Sequence, residues 1–294
     1  MGLRIKTNIA SLQAQRNLGL TTGAQNESMQ KLSSGYRINK SADDAAGLAI
    51  SETLRGKVRS LQQAQRNAND GISFMQVAEG SMNEISNILI RMRELSTQAA
   101  SDTIGNVERA YTNREYTQLV DEIDRITATT EFNGMKLLQG PDANNGIEAL
   151  TIHVGAGDGS VPNTDTIEFP IDNIQLSATE HLGLGNQEEI GPSIPGGDFA
   201  RETAAEKLTV IDTALQTVAS TRATLGAKQS RLSSTVNNLG IQIENLGAAN
   251  SRIRDVDYAA ETANFTQQRI MANAGVSVLS QANNLPEVVM QLLR

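Results

Sequence analysis

From Leu208 to Ile253 apolar residues recur in alternating steps of three and four, and eleven of the fourteen seam positions are Leu, Ile or Val, with Leu225, Leu232, Leu239 and Leu246 among them. The exceptions, Arg222, Gln229 and Asn250, fall at a-type positions, where polar residues fix register and partner at some cost in stability. With no proline in the run, this pattern predicts one coiled-coil helix about 70 Å long at a rise of 1.5 Å per residue. The first half of the chain carries a looser stripe: Leu54, Val58, Leu61, Ala68, Ile72 and Met75, then Met82, Ile85, Ile88, Met92, Leu95 and Ala99. Gln65 interrupts it, and the step from 82 to 85 is a phase shift, as expected where a helix touches more than one neighbour. After a break near residues 103–106, Tyr116, Leu119, Val120, Ile123 and Ile126 form a third amphipathic run that ends before Asn133-Gly134. An isolated stripe would stay exposed, so antiparallel packing of 54–100, 108–129 and 203–253 is predicted. The fold class is mainly α, a long antiparallel coiled-coil bundle.

Five of the six prolines lie between residues 141 and 195, and the sixth is Pro286, so long helices can run on both sides of that middle. Within it, 150–154 and 166–169 alternate apolar and polar residues between turn-forming ones, which predicts a small β-hairpin over about 150–170. Gly155, Gly157 and Gly159 lack the GxGxxG spacing and the following helix of a phosphate loop, and read as a glycine turn. Residues 186–198 read as an exposed loop, dispensable for assembly.

The chain ends carry only thin stripes, Ile5, Ile9 and Leu12 at the start and Val278, Ala282 and Leu285 near the close. Such helices are short of apolar area to stand alone. Two readings stay open: ends that become ordered when buried in a partner, or two terminal helices docked on the same core.

Composition narrows the chemistry. The chain has no Cys and no Trp, and its two histidines, His153 and His181, have no neighbouring His, so disulfides, thiolate or zinc sites and His relays are not expected. No cofactor and no metal are expected. Adjacent acids such as Asp43-Asp44 and Glu188-Glu189 lack a convergent base, nucleophile or metal ligand, and an enzyme is not expected. The net charge of −8 comes from residues 141–200, which hold ten Asp/Glu and no Lys or Arg. No basic field with interleaved aromatics exists to hold nucleic acid. No apolar run of about 18 residues occurs, and the start lacks an apolar h-region, so neither membrane insertion nor a Sec-type signal is expected.

Residues 8–17 (NIASLQAQRN), 32–50 (LSSGYRINKSADDAAGLAI) and 67–80 (NANDGISFMQVAEG) resemble the amino-terminal signature of bacterial flagellin. Residues 249–258 (ANSRIRDVDY) and the ending 279–294 are similar to its carboxy-terminal one, and 150–159 (LTIHVGAGDG) to its hairpin segment.

The resemblance implies a subunit that polymerises into the flagellar filament used for motility, with a hook-filament junction protein of the same superfamily as the alternative. It implies that 1–43 and 254–294 form coaxial inner-tube helices, packed in the filament through Ile5, Ile9, Leu12, Val278, Ala282 and Leu285. Residues 44–185 and 199–253 then form a helical shell around the seam of Leu54, Val58, Leu61, Leu225, Leu232, Leu239 and Leu246, and 186–198 replaces the family's large outer domains. A hinge falls near 41–44 and 254–257, where Asp and Arg either pair or stand solvated. Implied partners are further copies of the chain, flagellar cap and hook-junction proteins, an export chaperone at the C-terminal end, and a vertebrate Toll-like receptor at a patch of Arg91, Leu95 and Glu115. Type III export and an extracellular filament follow, whether bare, sheathed or periplasmic.

Overall fold

The computed structural model describes residues 7–140, 149–157, 165–170, 175–178, 182–184, 190 and 201–292. In chain order the elements are α1 (Ile9–Ser34), α2 (Ala45–Ala99), α3 (Asn106–Thr129), β1 (Glu131–Phe132), β2 (Met135–Lys136), β3 (Ala149–His153), β4 (Thr166–Pro170), α4 (Arg201–Arg254) and α5 (Tyr258–Leu292). The residues group into two compact units, 1–58 with 244–294, and 59–243. The helix breaks lie at 35–44 and 255–257, beside the boundaries expected from sequence, yet the first turns of α2 and the last turns of α4 group with the chain ends.

In the unit 59–243, α2, α3 and α4 share one core with both hairpins. One line of buried positions on α2 runs Leu61, Ala64, Ala68, Gly71, Met75, Ala78, Met82, Ile85, Leu89, Met92, Ser96 and Ala99, an unbroken alternation of three and four, with Phe74 and Leu95 buried beside it. The phase shift expected between 82 and 85 is therefore absent. Small residues at 64, 71 and 78 continue the seam without an apolar signal. On α4 the d-type positions Ile211, Val218, Leu225, Leu232 and Leu239 are buried, while the polar a-type Arg222 and Gln229 are half-buried. Contacts fix both partners of α2 as antiparallel. Arg109 Nε donates to the Ala99 carbonyl at 2.9 Å and Thr130 Oγ1 to Ser81 Oγ at 2.9 Å, while Arg93 pairs with Asp212 at 2.7 Å and Gly71 faces Leu232.

Asn133 and Gly134, with φ of 53° and 79°, form a tight turn that pairs Phe132 with Met135 and Glu131 with Lys136. Two consecutive positive φ values suit Asn-Gly, and this first hairpin went unread in the sequence. The expected hairpin is present as β3 and β4, in the register Leu150 to Phe169 and Ile152 to Ile167. A Cβ at Gly71 would collide with Ile152 Cδ1 and stand 3.2 Å from Leu232 Cδ1, so a bare backbone there lets β3 and α4 meet over α2.

Tyr116 lies in this core, and its hydroxyl has no partner among the described residues. Burial pushes its pKa up to about 12. An unpaired buried hydroxyl costs roughly 1–3 kcal/mol, so Tyr116→Phe is expected to stabilise the chain by about 1 kcal/mol. The check is a higher urea midpoint at unchanged slope; a lower midpoint would contradict it.

In the unit of the two chain ends, α1 and α5 lie side by side and antiparallel. Asn8 Nδ2 donates to the Ala282 carbonyl at 2.7 Å, Ser11 Oγ to Asn283 Oδ1 at 2.7 Å, and Tyr258 Oη to the Leu32 carbonyl at 2.9 Å. Asn8 caps α1 by accepting from the Ser11 N–H, and Gly35, at φ 76°, closes it by donating to the Lys31 carbonyl.

Candidate assembly surface and joint

The covered face of α1 reads Ser11, Ala14, Leu18, Thr21, Gln25, Ser28 and Leu32, in strict steps of three and four. The face of α5 opposite it reads Glu261, Phe265, Gln268, Ala272, Gly275, Leu279 and Ala282. This seam is made mostly of small and polar residues. Beside Leu18, Leu32, Phe265 and Leu279 on the seam, seven large apolar side chains point away from it: Ile9, Leu12, Leu20 and Met29 on α1 are 52–68% exposed, and Ile270, Val276 and Val278 on α5 are 56–62% exposed. A shallow groove lined by Tyr258, Thr262, Ile270 and Met271 runs along the outer side of α5. Of the packing stripe expected from sequence, Ile9, Leu12 and Val278 are thus exposed, and Ala282 is buried against α1. Ile5 and the Leu285 side chain lie outside the described residues.

At the other end of this pair, backbone and side chains stitch the two helix breaks together. Tyr36 and Asp255 form an antiparallel bridge, with Arg37 N–H donating to the Arg254 carbonyl at 2.7 Å and Val256 N–H to the Gly35 carbonyl at 3.0 Å. Arg37 Nη2 donates to the Ile253 carbonyl at 2.7 Å, satisfying one of the open carbonyls at the end of α4. The Arg254 guanidinium stacks 4.5 Å from the Tyr36 ring centroid, and its Nη1 meets Glu52 Oε1 at 2.7 Å. That contact holds the Glu52 carboxyl below its usual range.

Among the described residues the hinge aspartates do not pair with arginine. Asp43 accepts the backbone N–H groups of Lys40 and Asn39, which hold its pKa down, Asp44 caps α2 through Gly47 N–H at 2.9 Å, and Asp257 caps α5 through Ala259 N–H at 3.0 Å. A helix N-terminus offers unpaired N–H donors and a positive dipole end, and here these satisfy the carboxylates of Asp44 and Asp257. Arg254 finds its carboxylate on α2 instead.

The expected patch of Arg91, Leu95 and Glu115 is only partly a surface. Arg91 Nη2 and Glu115 Oε1 pair at 2.8 Å, joining exposed faces of α2 and α3, and Arg91 also meets Glu94 at 3.0 Å. Leu95 is 1% exposed and belongs to the core, because it falls beside the α2 seam as that helix meets α3. Of the shell seam, Leu61, Leu225, Leu232 and Leu239 are buried, and Leu54, Val58 and Leu246 are half-buried. Most of the expected loop 186–198 lies outside the described residues. Ile190 within it is fully buried, and its N–H donates to Asn113 Oδ1 at 3.1 Å, so at this residue the segment is anchored rather than exposed.

The architecture is that of a helical structural protein, with outward apolar faces on one helix pair and, among the described residues, no group of three His, Cys, Asp or Glu able to hold a metal. Among those residues no helix is long and apolar enough to cross a membrane. Residues 5–143 match the bacterial flagellin N-terminal helical region and 208–293 the C-terminal helical region. Flagellin of Halalkalibacterium halodurans is 42% identical over 291 residues, covering 99% of each chain. Flagellin FlaB2 of Treponema pallidum is 39% identical over 295 residues, again covering 99% of each. A solved flagellar hook-associated protein from Vibrio parahaemolyticus shares the fold, at a TM-score of 0.58 and 14% identity over 72% of this chain and 100% of that one.

The chain belongs to the bacterial flagellin family and is a structural subunit of the flagellar filament. Likeness to flagellins over nearly the whole length, against likeness in fold alone to the hook-associated protein, disfavours the junction alternative. At 294 residues it carries no large outer domain.

Proposed function

We propose that the α1/α5 pair is the polymerising element of this filament subunit, and that its outer faces, with Ile9, Leu12 and Val278, are covered by further copies of the chain. One observation carries this reading: seven large apolar side chains of the two helices, Ile9, Leu12, Leu20, Met29, Ile270, Val276 and Val278, stand off the shared seam and more than half exposed. Apolar area left in water by one subunit favours burial against others. A contact that joins one face to a different face of the next copy does not close, and so builds an open helical polymer. Residues 1–43 and 254–294 serve as the inner tube and 44–185 with 199–253 as the shell. The subunit acts without catalysis, in an extracellular filament.

An export chaperone takes the same uncovered face of α5 before assembly, and cap and hook-junction proteins engage the filament's ends. A receptor of the Toll-like class would meet Arg91 and Glu115, with Leu95 supporting them from the core.

Purified chain, held above and below a threshold concentration, tests the reading. Sedimenting filaments are expected above it, with amide exchange across 9–34 and 258–292 slowed relative to the monomer. A chain that stays monomeric at every concentration, or filaments with unchanged exchange in both helices, would overturn it.

A further inference from the structure

Four helix ends converge where the two breaks are stitched: the close of α1, the start of α2, the close of α4 and the start of α5. The backbone link is short, a single bridged pair with two flanking hydrogen bonds. Such a link leaves freedom to swivel unless side chains remove it. Arg254 is the side chain placed to do so. It extends from the last turn of α4, lies over the ring of Tyr36 just beyond α1, and reaches Glu52 on α2, with its own side chain only 15% exposed. Its neighbours do less: Arg252 is exposed, and Arg55 meets Glu52 only within α2, at 3.0 Å. Arg37 bonds the α4 backbone.

We propose that Arg254 is a positioning residue for assembly: by stacking on Tyr36 and pairing with Glu52 it fixes the direction in which the α1/α5 pair leaves α2 and α4, so that each subunit arrives with that pair already aimed. This rests on the polymerising role of α1/α5. Adding a subunit requires the pair to adopt one direction, and a direction set beforehand lowers the ordering cost of every addition. A planar guanidinium suits the task better than an ammonium, since it stacks on an aromatic face while bonding a carboxylate at its edge. Glu52 and Arg254 are 202 residues apart, so the contact ties the two halves of the chain at the one place where both break their helices.

The test uses the full-length chain and reads two quantities, the critical concentration for seeded growth and amide exchange at 35–44 and 254–257 in the monomer. Arg254→Met keeps the apolar stem and is expected to raise the critical concentration about three- to tenfold, from the loss of one cation–π contact and one partly shielded ion pair. Exchange in both linkers should quicken while the thermal midpoint of the monomer holds, a combination that a merely structural role would not give. Arg254→Lys should fall between parent and Met. Tyr36→Leu should act in the same direction and add little on top of Arg254→Met. It also serves, with Glu52→Gln, if Arg254→Met does not fold. Parental critical concentration and parental linker exchange in Arg254→Met would overturn the proposal. If the parent chain itself grew no filaments, the polymerising role would fall, and linker exchange in the monomer would still decide whether Arg254 holds the joint.

Discussion

A full-length chain carrying Leu12→Asp and Val278→Asp is expected to fold as the parent does and to grow no filaments at concentrations where the parent polymerises fully. In the monomer these side chains are 58% and 59% exposed, on the outer faces of α1 and α5. Substitutions at such places change folding stability by about 0.5 kcal/mol or less. In the polymer each would place an unpaired carboxylate where a neighbouring copy excludes water, at a cost of several kcal/mol. Since about 1.4 kcal/mol shifts an association constant tenfold, two such sites on every subunit suppress growth by orders of magnitude. Sedimentation and electron microscopy check the outcome beside circular dichroism of the monomer. Leu12→Ala with Val278→Ala, which removes apolar area and adds no charge, should weaken growth and leave filaments visible. Filaments of the Asp variant at the parental threshold would mean that these faces are not covered in the polymer.

The seam of α4 was legible because its heptads carry large aliphatic residues at nearly every position, and such a stripe has one geometric reading. The seam of α2 is as regular, but Ala64, Gly71 and Ala78 hold three of its positions, and residues that small emit no apolar signal. They are small because something approaches: at Gly71 both Ile152 and Leu232 close on the helix backbone. Leu176, Leu182, Leu184 and Ile190 are also buried, yet they sit in irregular backbone with neither period, so no pattern announced them. At the chain ends the sequence left the direction of the stripe open. A thin stripe can face its partner helix or other molecules, and only the structure shows that Ile9, Leu12 and Val278 stand exposed while Ala282 turns to α1. The joint was expected near 41–44 and 254–257 from the family resemblance, and the helices break at 35–44 and 255–257. Its pairing of Arg254 with Glu52 was not expected, because contacts across 202 residues leave no local trace.

The largest expected loss of folding stability lies at Phe169. Its ring is fully buried on β4, meets Phe74 of α2 edge-on at 6.1 Å, and through Phe74 joins Phe132 of the first hairpin, also at 6.1 Å. Lys228 of α4 closes the other side, with Nζ 4.9 Å from the ring centroid and bonded to the Glu168 carbonyl, and burial lowers its pKa. A two-stranded hairpin is marginal by itself in water, so β3 and β4 hold their register through what they bury against the helices. Phe169 is the largest such group, in a chain with only five Phe. Phe169→Ala is therefore expected to cost about 3–5 kcal/mol. For a domain of this size each kcal/mol moves the midpoint by about 2–4 °C, which gives a fall of roughly 6–20 °C in thermal unfolding. Phe169→Leu, which keeps most of the apolar volume while losing the edge-to-face contact, should lose much less. A midpoint unchanged within 2 °C or so in Phe169→Ala would show that the hairpin packs without this ring, and that the helices alone account for the core.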